Sequence, residues 1–276
     1  MILLKGKEVS DQIRKEIASV LESRKDSIPT LAIIRVGEKP DDVSYERGAT
    51  KKLRDFGLNV KNIVFPAEIA DAEFKNQFAR INDDREVNGI LLLRPLPKTI
   101  DEKAVERMIS PEKDMDGISP VNIAKVFSGD ASGFAPCTAE AVIEILKRNN
   151  IPIAGKKVTI VGRSMVVGRP LSMLMLKENA TVTICHTKTA DLKAECRNAD
   201  ILVAAAGKMK MLDGSFVKQG AVVIDVGINV TEDGKLCGDV DTDSLEGTAS
   251  MATPVPGGVG TVTTAVLARH LTAGYR

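Results

Sequence analysis

The second half of the chain carries four apolar runs at a regular pitch: Val158 to Val161, Thr181 to Cys185, Ile201 to Ala205 and Ala221 to Val226. Each lies about 20 residues from the next, with a helix-length segment between, and that spacing suits crossover connections. Strands joined in this way run parallel, so a mainly parallel sheet covered by helices is expected. The first half alternates in the same sense. Val9 to Ser23 places Ile13, Ile17, Val20 and Leu21 at the spacing of one buried helix face. Leu31 to Val36, closed by Gly37, reads as a buried strand, and Tyr45 to Phe56 as a helix ended by Gly57. Val60 to Phe65 and Gly89 to Leu93 read as further strands, with a helix from Asp71 to Asn82 between them. The chain reads as α/β throughout.

Pro95, Pro97, Pro111, Pro120 and Pro136 punctuate the middle, where 114–117 and 128–136 read as exposed loops. A helix capped by Thr138, apolar at Ala141, Val142, Ile145 and Leu146, then leads to a strand opening at Lys157. The expected division is therefore a first domain over 1–138 and a second over 139–254. A last helix, Thr261 to His270, needs a partner for Val262, Val266 and Leu267, so 255–276 is expected to pack back on the first domain.

A length of 276 residues suits two domains, and 43% hydrophobic with 27% charged residues is ordinary globular composition. The net charge of +1 gives no bulk attraction to nucleic acid or to an anionic membrane. Aromatics at 3%, with no Trp, leave little for base stacking. No apolar run approaches the roughly 18 residues of a membrane span, and the start Met-Ile-Leu-Leu-Lys is too short for a signal peptide. Cys137, Cys185, Cys196 and Cys237 form no CxxC, and only two His accompany them. Reduced thiols in a cytoplasmic protein, and no metal site, are expected. A small molecule is the expected partner.

Lys157 to Gly168 reads as a strand, a glycine turn and the start of a helix. It departs from GxGxxG, since the glycines are Gly162 and Gly168 with Arg163 and Ser164 between them. The physics is shared: glycine at a strand end lets backbone approach a phosphate, and free N–H groups at a helix start favour an anion. The bland alternative is a glycine that serves helix–strand packing alone. After the second strand of this half, an NAD site would place a carboxylate on the ribose hydroxyls. None occurs before Asp191. Thr187 and Lys188, with Arg163 from the first turn, suit a 2′-phosphate instead, so NADP is expected over NAD; a solvated loop with an incidental lysine is the alternative. Asp225 to Asn229 ends the fourth strand at the same sheet edge, where Gly227 and Ile228 are expected to flank a nicotinamide ring, or else form only a turn.

Several stretches together resemble the methylenetetrahydrofolate dehydrogenase/cyclohydrolase family. They are Gly37 to Pro40 leading to Tyr45, Gly89 to Pro97, Lys113 to Gly117, Pro136 to Thr138, Gly162 to Pro170, Asp225 to Asn229 and Pro254 to Gly260. They are colinear over almost the whole chain, and the set is far more specific than any one member. The resemblance implies an α/β folate domain and a Rossmann-like dinucleotide-binding domain with a folate cleft between them, in a homodimer. It implies two reactions: oxidation of 5,10-methylenetetrahydrofolate by NADP, and hydrolysis of the methenyl product to 10-formyltetrahydrofolate. Carried over residue by residue, the pterin-binding aspartate falls on Asp116, whose carboxylate suits a ring N–H and an amino group. The active-site tyrosine falls on Tyr45. Both are expected to be catalytic and to bind substrate, with Pro256, Gly257 and Gly258 reaching the substrate as well. The cofactor residues fall on Gly162, Arg163, Ser164, Thr187 and Ile228.

Two departures stand out. The family's lysine one helical turn after the tyrosine is Ala49 here, and its glutamine before the Leu-Pro-Leu-Pro stretch is Leu93, followed by Arg94. Loss of a hydride needs no base, whereas hydrolysis needs a proton taken from water, a service typically worth about 10²–10⁴-fold. Lys52 shares the helix face of Tyr45 but sits about 4.5 Å further along the axis than position 49, and Arg94 cannot be deprotonated. A dehydrogenase with weak or absent cyclohydrolase activity is expected. The alternatives are a fully bifunctional enzyme, a catalytically idle folate-binding protein, and an NADP oxidoreductase acting on another small molecule.

Overall fold

The chain divides into two units, residues 12–137 with 264–276, and residues 1–11 with 138–263. The computed structural model describes residues 1–23 and 27–274. The first elements are β1 (Ile2–Leu3) and α1 (Gly6–Ser23). β2 (Thr30–Val36) is buried from Leu31 to Val36, as a strand must be when both faces of its sheet are covered. It pairs in parallel with β3 (Asn59–Phe65) on one side and β4 (Gly89–Leu92) on the other. Between these strands run α2 (Pro40–Asp55) and α3 (Asp71–Asp83). The core of this unit gathers Ile34, Ile90 and Leu92 from the sheet with Phe74 and Phe78 from α3, and Phe65 meets Phe74 edge-on at 5.3 Å.

Two helices lie in the proline-punctuated middle, where the sequence pattern predicts no element: α4 (Glu102–Met108) and α5 (Pro120–Ser128). Both are too short to establish a periodic apolar stripe, and their ends carry the signal instead. Asp101 accepts from the Ala104 N–H, Ser119 from the Asn122 N–H, and α5 stops at Gly129 with φ +75°. α2 begins at Pro40, five residues before the expected start, because proline suits the first helical turn. α6 (Cys137–Arg148) likewise begins one residue before Thr138, which lies inside its first turn.

The second unit is built on a six-stranded sheet of order β1-β11-β8-β7-β5-β6, every pair parallel. Its strands are β5 (Lys157–Val161), β6 (Thr181–Cys185), β7 (Ile201–Ala204) and β8 (Val222–Asp225), joined by α7 (Gly168–Lys177) and α8 (Leu192–Arg197). A hairpin of β9 (Asn229–Val230) and β10 (Leu236–Cys237) follows, then β11 (Met251–Ala252). β1 pairs with β11, Ile2 opposite Met251, which is why residues 1–11 cluster with this unit and not with the one they precede. A two-residue strand leaves no alternation to read in the sequence. The last helix is α9 (Val259–Gly274), and the division of the chain falls inside α1, α6 and α9. Among the described residues no helix is long and apolar enough to cross a membrane.

Phe74 is fully buried in its cluster, so Phe74→Ala is expected to lower unfolding free energy by about 3–5 kcal/mol. Urea denaturation followed by circular dichroism checks this; a loss under 1 kcal/mol would mean that the site collapses around the smaller side chain.

Candidate functional site

In an open parallel sheet, strand C-termini deliver backbone to one edge, and a crevice opens where successive crossovers part. Here that point is the end of β5, which has β6 on one side and β7 on the other. Gly162 stands there with φ +135°, and a Cβ at this residue would lie 2.1 Å from the Ala205 carbonyl oxygen. A Cβ on Gly168 would lie 2.0 Å from the Gly162 carbonyl oxygen. The turn therefore closes only with glycine at both positions, and the two tie strand, turn and helix start together. Between them Arg163, Ser164, Met165 and Val166 are exposed, and the Ser164 hydroxyl accepts from the Val167 N–H at 3.1 Å. Such a turn at the start of α7 fits a dinucleotide pyrophosphate, with exposed donors beside it.

After β6, Thr187 and Lys188 are exposed on a turn closed by two bonds. The His186 N–H donates to the Thr189 hydroxyl at 2.9 Å, and the Lys188 N–H to His186 Nδ1 at 3.0 Å. Asp191 accepts from the Ala194 N–H at 2.9 Å and so caps α8. The first carboxylate after β6 is thus committed to a helix start. Hydroxyl, ammonium and guanidinium groups remain, a set suited to a phosphate. Ile228 is 64% exposed just past β8.

Two buried carboxylates underlie this edge. Asp225 accepts from the N–H groups of Gly227, Asp239 and Val240, at 2.9, 3.0 and 2.9 Å. Desolvation nevertheless outweighs these bonds and raises its pKa to about 6, with the Asp239 charge adding to the shift. Asp239 is fully buried and takes its own set of donors. The sequence reading did not single it out, since Gly-Asp after a strand gives no sign of what the carboxylate will meet.

The expected substrate residues fall in both units. Tyr45 lies in the second turn of α2 and keeps 38% of its surface exposed, while its hydroxyl end is desolvated beside Asp116, Cys137 and the hydrogen-bonded Thr264. Desolvation first, then the Asp116 and Cys137 charges, hold its hydroxyl pKa above the usual phenol range. Burial likewise raises the Asp116 carboxyl, opposed by hydrogen bonds from Cys137 and by the positive field of Arg94. The backbone around Asp116 is braced on several sides. The Cys137 N–H donates to Asp116 Oδ1 at 2.9 Å, and the Met115 carbonyl takes the Cys137 thiol at 3.2 Å. His270 Nδ1 lies 2.8 Å from the same carbonyl, which can only accept, so Nδ1 carries the proton. Asp114, fully buried, accepts from the Ile118 and Ser119 N–H groups and from Asn122 Nδ2. Cys137, Thr264 and His270 escaped the sequence reading because they come from distant segments.

The positions of the missing lysine and glutamine are apolar and closed: Ala49 is 2% exposed and Leu93 8%. Lys52 holds its ammonium 5.8 Å from the Phe56 ring centroid. Arg94 is paired with Glu106 at 3.0 Å and faces Glu102 at 3.8 Å. Pro256, Gly257 and Gly258 lie in the other unit, on the loop between β11 and α9, where the Gly257 carbonyl accepts from the Gly6 N–H at 2.8 Å. Gly257 has φ +100°, a conformation that favours glycine. Among the described residues no group of His, Cys, Asp and Glu is arranged to hold a metal ion.

Comparison with known proteins agrees with both halves of this description. Residues 4–116 match the family model of the tetrahydrofolate dehydrogenase/cyclohydrolase catalytic domain, and residues 136–276 match that of its NAD(P)-binding domain. The bifunctional protein FolD of Clostridioides difficile is 53% identical over 271 residues, covering 98% of this chain and 94% of its own. The crystal structure of the Campylobacter jejuni bifunctional enzyme FolD, a methylenetetrahydrofolate dehydrogenase/cyclohydrolase, superposes with a TM-score of 0.96 at 37% identity, covering 99% of this chain and 98% of that one. The Trypanosoma brucei dehydrogenase-cyclohydrolase, solved with NADP cofactor and inhibitor, gives 0.92 at 32% identity over 99% and 97%.

The Asp225 shift has a consequence for stability. Its folded pKa of about 6 lies above the ordinary aspartate value of 3.8, so the folded state binds the proton more tightly than the unfolded chain. Its contribution is therefore present below pH 4 and is lost as pH rises through 6. The stability of the natural protein relative to Asp225→Asn is expected to fall over that window and to level off above it. Urea midpoints at half-unit pH steps check this; a difference that grows with pH would contradict it.

Proposed function

The chain belongs to the tetrahydrofolate dehydrogenase/cyclohydrolase family, and on that premise we propose that it oxidises 5,10-methylenetetrahydrofolate to the 5,10-methenyl form with NADP, with little or no hydrolysis to 10-formyltetrahydrofolate. The reading rests on one observation above the others: the helix position one turn after Tyr45 is a buried alanine. NADP, when bound, supplies a nicotinamide that accepts the hydride. The Gly162 turn fits its pyrophosphate, Arg163, Ser164 and Thr187 its ribose phosphate end, and Ile228 its nicotinamide face. Residues 1–138 with 255–276 serve the folate and 139–254 the cofactor. The same reading takes the protein as cytoplasmic, from its scattered thiols, and as a homodimer, from the family resemblance.

The residues of the chain then divide the work. Asp116 accepts hydrogen bonds from the pterin ring N–H and amino group, which fixes the rotation of the ring. A pterin donating into that carboxylate favours its ionised form against the desolvation that raises its pKa. Tyr45 offers its ring to the pteridine and stays protonated at physiological pH, so its hydroxyl is a donor and not a base. Pro256, Gly257 and Gly258 let backbone come close to the substrate. Loss of a hydride from the methylene carbon leaves a cation shared by two nitrogens, and no proton moves in that step. Positioning is what the step demands, and Asp116 and Tyr45 supply it.

Hydrolysis asks for more. Water must lose a proton as it attacks, and a desolvated lysine is suited to take it. Ala49 and Leu93 bring neither a base nor the hydrogen bond to orient one. Lys52 is drawn to Phe56, and Arg94 is engaged with its carboxylate partners. A catalytically idle folate binder has no use for the phosphate-suited donors around the Gly162 turn.

Oxidation and hydrolysis measured separately on one preparation test this. NADPH is expected to form readily from methylenetetrahydrofolate, with hydrolysis of methenyltetrahydrofolate slower by about 10²-fold or more. Ala49→Lys alone is expected to leave hydrolysis low, and Ala49→Lys with Leu93→Gln to raise it. Equal rates in the natural protein would favour the bifunctional reading; no NADPH would overturn the dehydrogenase.

A further inference from the structure

We propose that Asp239 is a positioning residue for the nicotinamide cofactor, one that sets the backbone path of the two loops leaving β7 and β8. The inference rests on the reading of this unit as an NADP-binding domain. Asp239 Oδ2 accepts from the N–H groups of Ala206 at 2.6 Å and Gly207 at 2.8 Å. Its Oδ1 accepts from the Lys208 N–H at 2.8 Å and from Asn229 Nδ2 at 3.0 Å. Each oxygen thus serves two donors, and one side chain ties 206–208 to Asn229. Three successive N–H groups turned onto one carboxylate form an anion nest filled by the chain itself.

The arrangement is built with close tolerance. A Cβ on Gly227 would lie 2.3 Å from Asp239 Oδ1, and one on Gly238 would lie 1.8 Å from Asp225 Oδ2. Glycine at both positions is what lets the two carboxylates reach the backbone. Asp225 in turn holds the N–H of Asp239 itself, so the clamp is anchored to the last residue of β8.

The clamped loops adjoin the residues read as holding the cofactor. The 206–208 loop continues from Ala205, whose N–H donates to the Val161 carbonyl at 2.8 Å and whose own carbonyl abuts Gly162. Ile228 sits between Gly227, which passes over the Asp239 carboxylate, and Asn229, which donates to it. Asp239 itself is fully buried. It therefore acts on the Ile228 loop through Asn229 and on the Gly162 turn through the segment that follows Ala205, as a buried side chain.

Asp239→Asn tests the role in the full-length protein. An amide replaces one oxygen by an NH2 group, which then faces two N–H donors whichever way the side chain turns. NADP dissociation measured by calorimetry is expected to weaken by about ten-fold or more, and the KM for NADP to rise with it, while the KM for methylenetetrahydrofolate stays within about two-fold. Amide hydrogen exchange at Ala206, Gly207 and Lys208 should speed up relative to the ends of β5. Asn229→Ala, which removes one donor and leaves the carboxylate in place, should weaken NADP by a smaller factor, about two- to five-fold. It carries the test if Asp239→Asn fails to fold. Unchanged NADP affinity in a folded Asp239→Asn, or in Asn229→Ala should the other not fold, would overturn the proposal, as would equal rises in both KM values. Natural protein that bound no NADP would instead overturn the cofactor reading on which it rests.

Discussion

Strands in a parallel sheet all end at one edge, and the backbone leaving them must turn while its N–H groups still find acceptors. In this chain buried carboxylates provide many of those acceptors. Asp225 and Asp239 gather amides from the loops after β7, β8 and β10, and Asp114 gathers those of Ile118 and Ser119. A buried charge is costly unless it is hydrogen-bonded on every side, so each of these aspartates fixes the path of several residues at once. The loops that carry Ile228 and Asp116 are shaped by this requirement. Glycine at 227 and 238 follows from it, since any side chain there would displace a carboxylate oxygen.

The same constraint separates residues that act from residues that hold. Asp116 and Tyr45 sit among Cys137, Thr264, His270 and Asp114, a polar neighbourhood with its hydrogen bonds largely internal. Ala49 and Leu93 offer no such chemistry. Fixed acceptors of this kind suit a reaction in which charge moves as hydride, and on the proposed reading neither position brings the lysine that would take a proton from water. Apolar residues at both Ala49 and Leu93 leave no polar orphan there, and among the described residues no buried side-chain polar atom lacks a partner.

Much of this was legible in the sequence. The four long strands of the larger sheet, the strand–helix alternation of the first half and the glycine turn at Gly162 follow from apolar period and glycine placement. The short elements were not legible: β1 and β11 have two residues each, and α4 and α5 declare themselves only through the caps Asp101 and Ser119. Pairing of β1 with β11 spans almost the whole chain and leaves no local trace. At the site, the family resemblance pointed to Asp116 and Tyr45, and the strand–glycine–helix pattern to the cofactor loop. The supporting cast did not show, because Asp239, His270 and Cys137 acquire their roles only from neighbours far away in sequence. That Ala49 is buried is likewise a fact of the fold, which the sequence registers only as a missing lysine.

The central claim, direct hydride transfer from folate to a pyridine nucleotide, is tested most directly with isotope. A single turnover of the enzyme with NADP and methylenetetrahydrofolate deuterated at its methylene carbon is expected to yield NADPH carrying one deuterium on the nicotinamide ring, and methenyltetrahydrofolate retaining the other. Unlabelled NADPH, or deuterium released to water with no NADPH formed, would contradict the account.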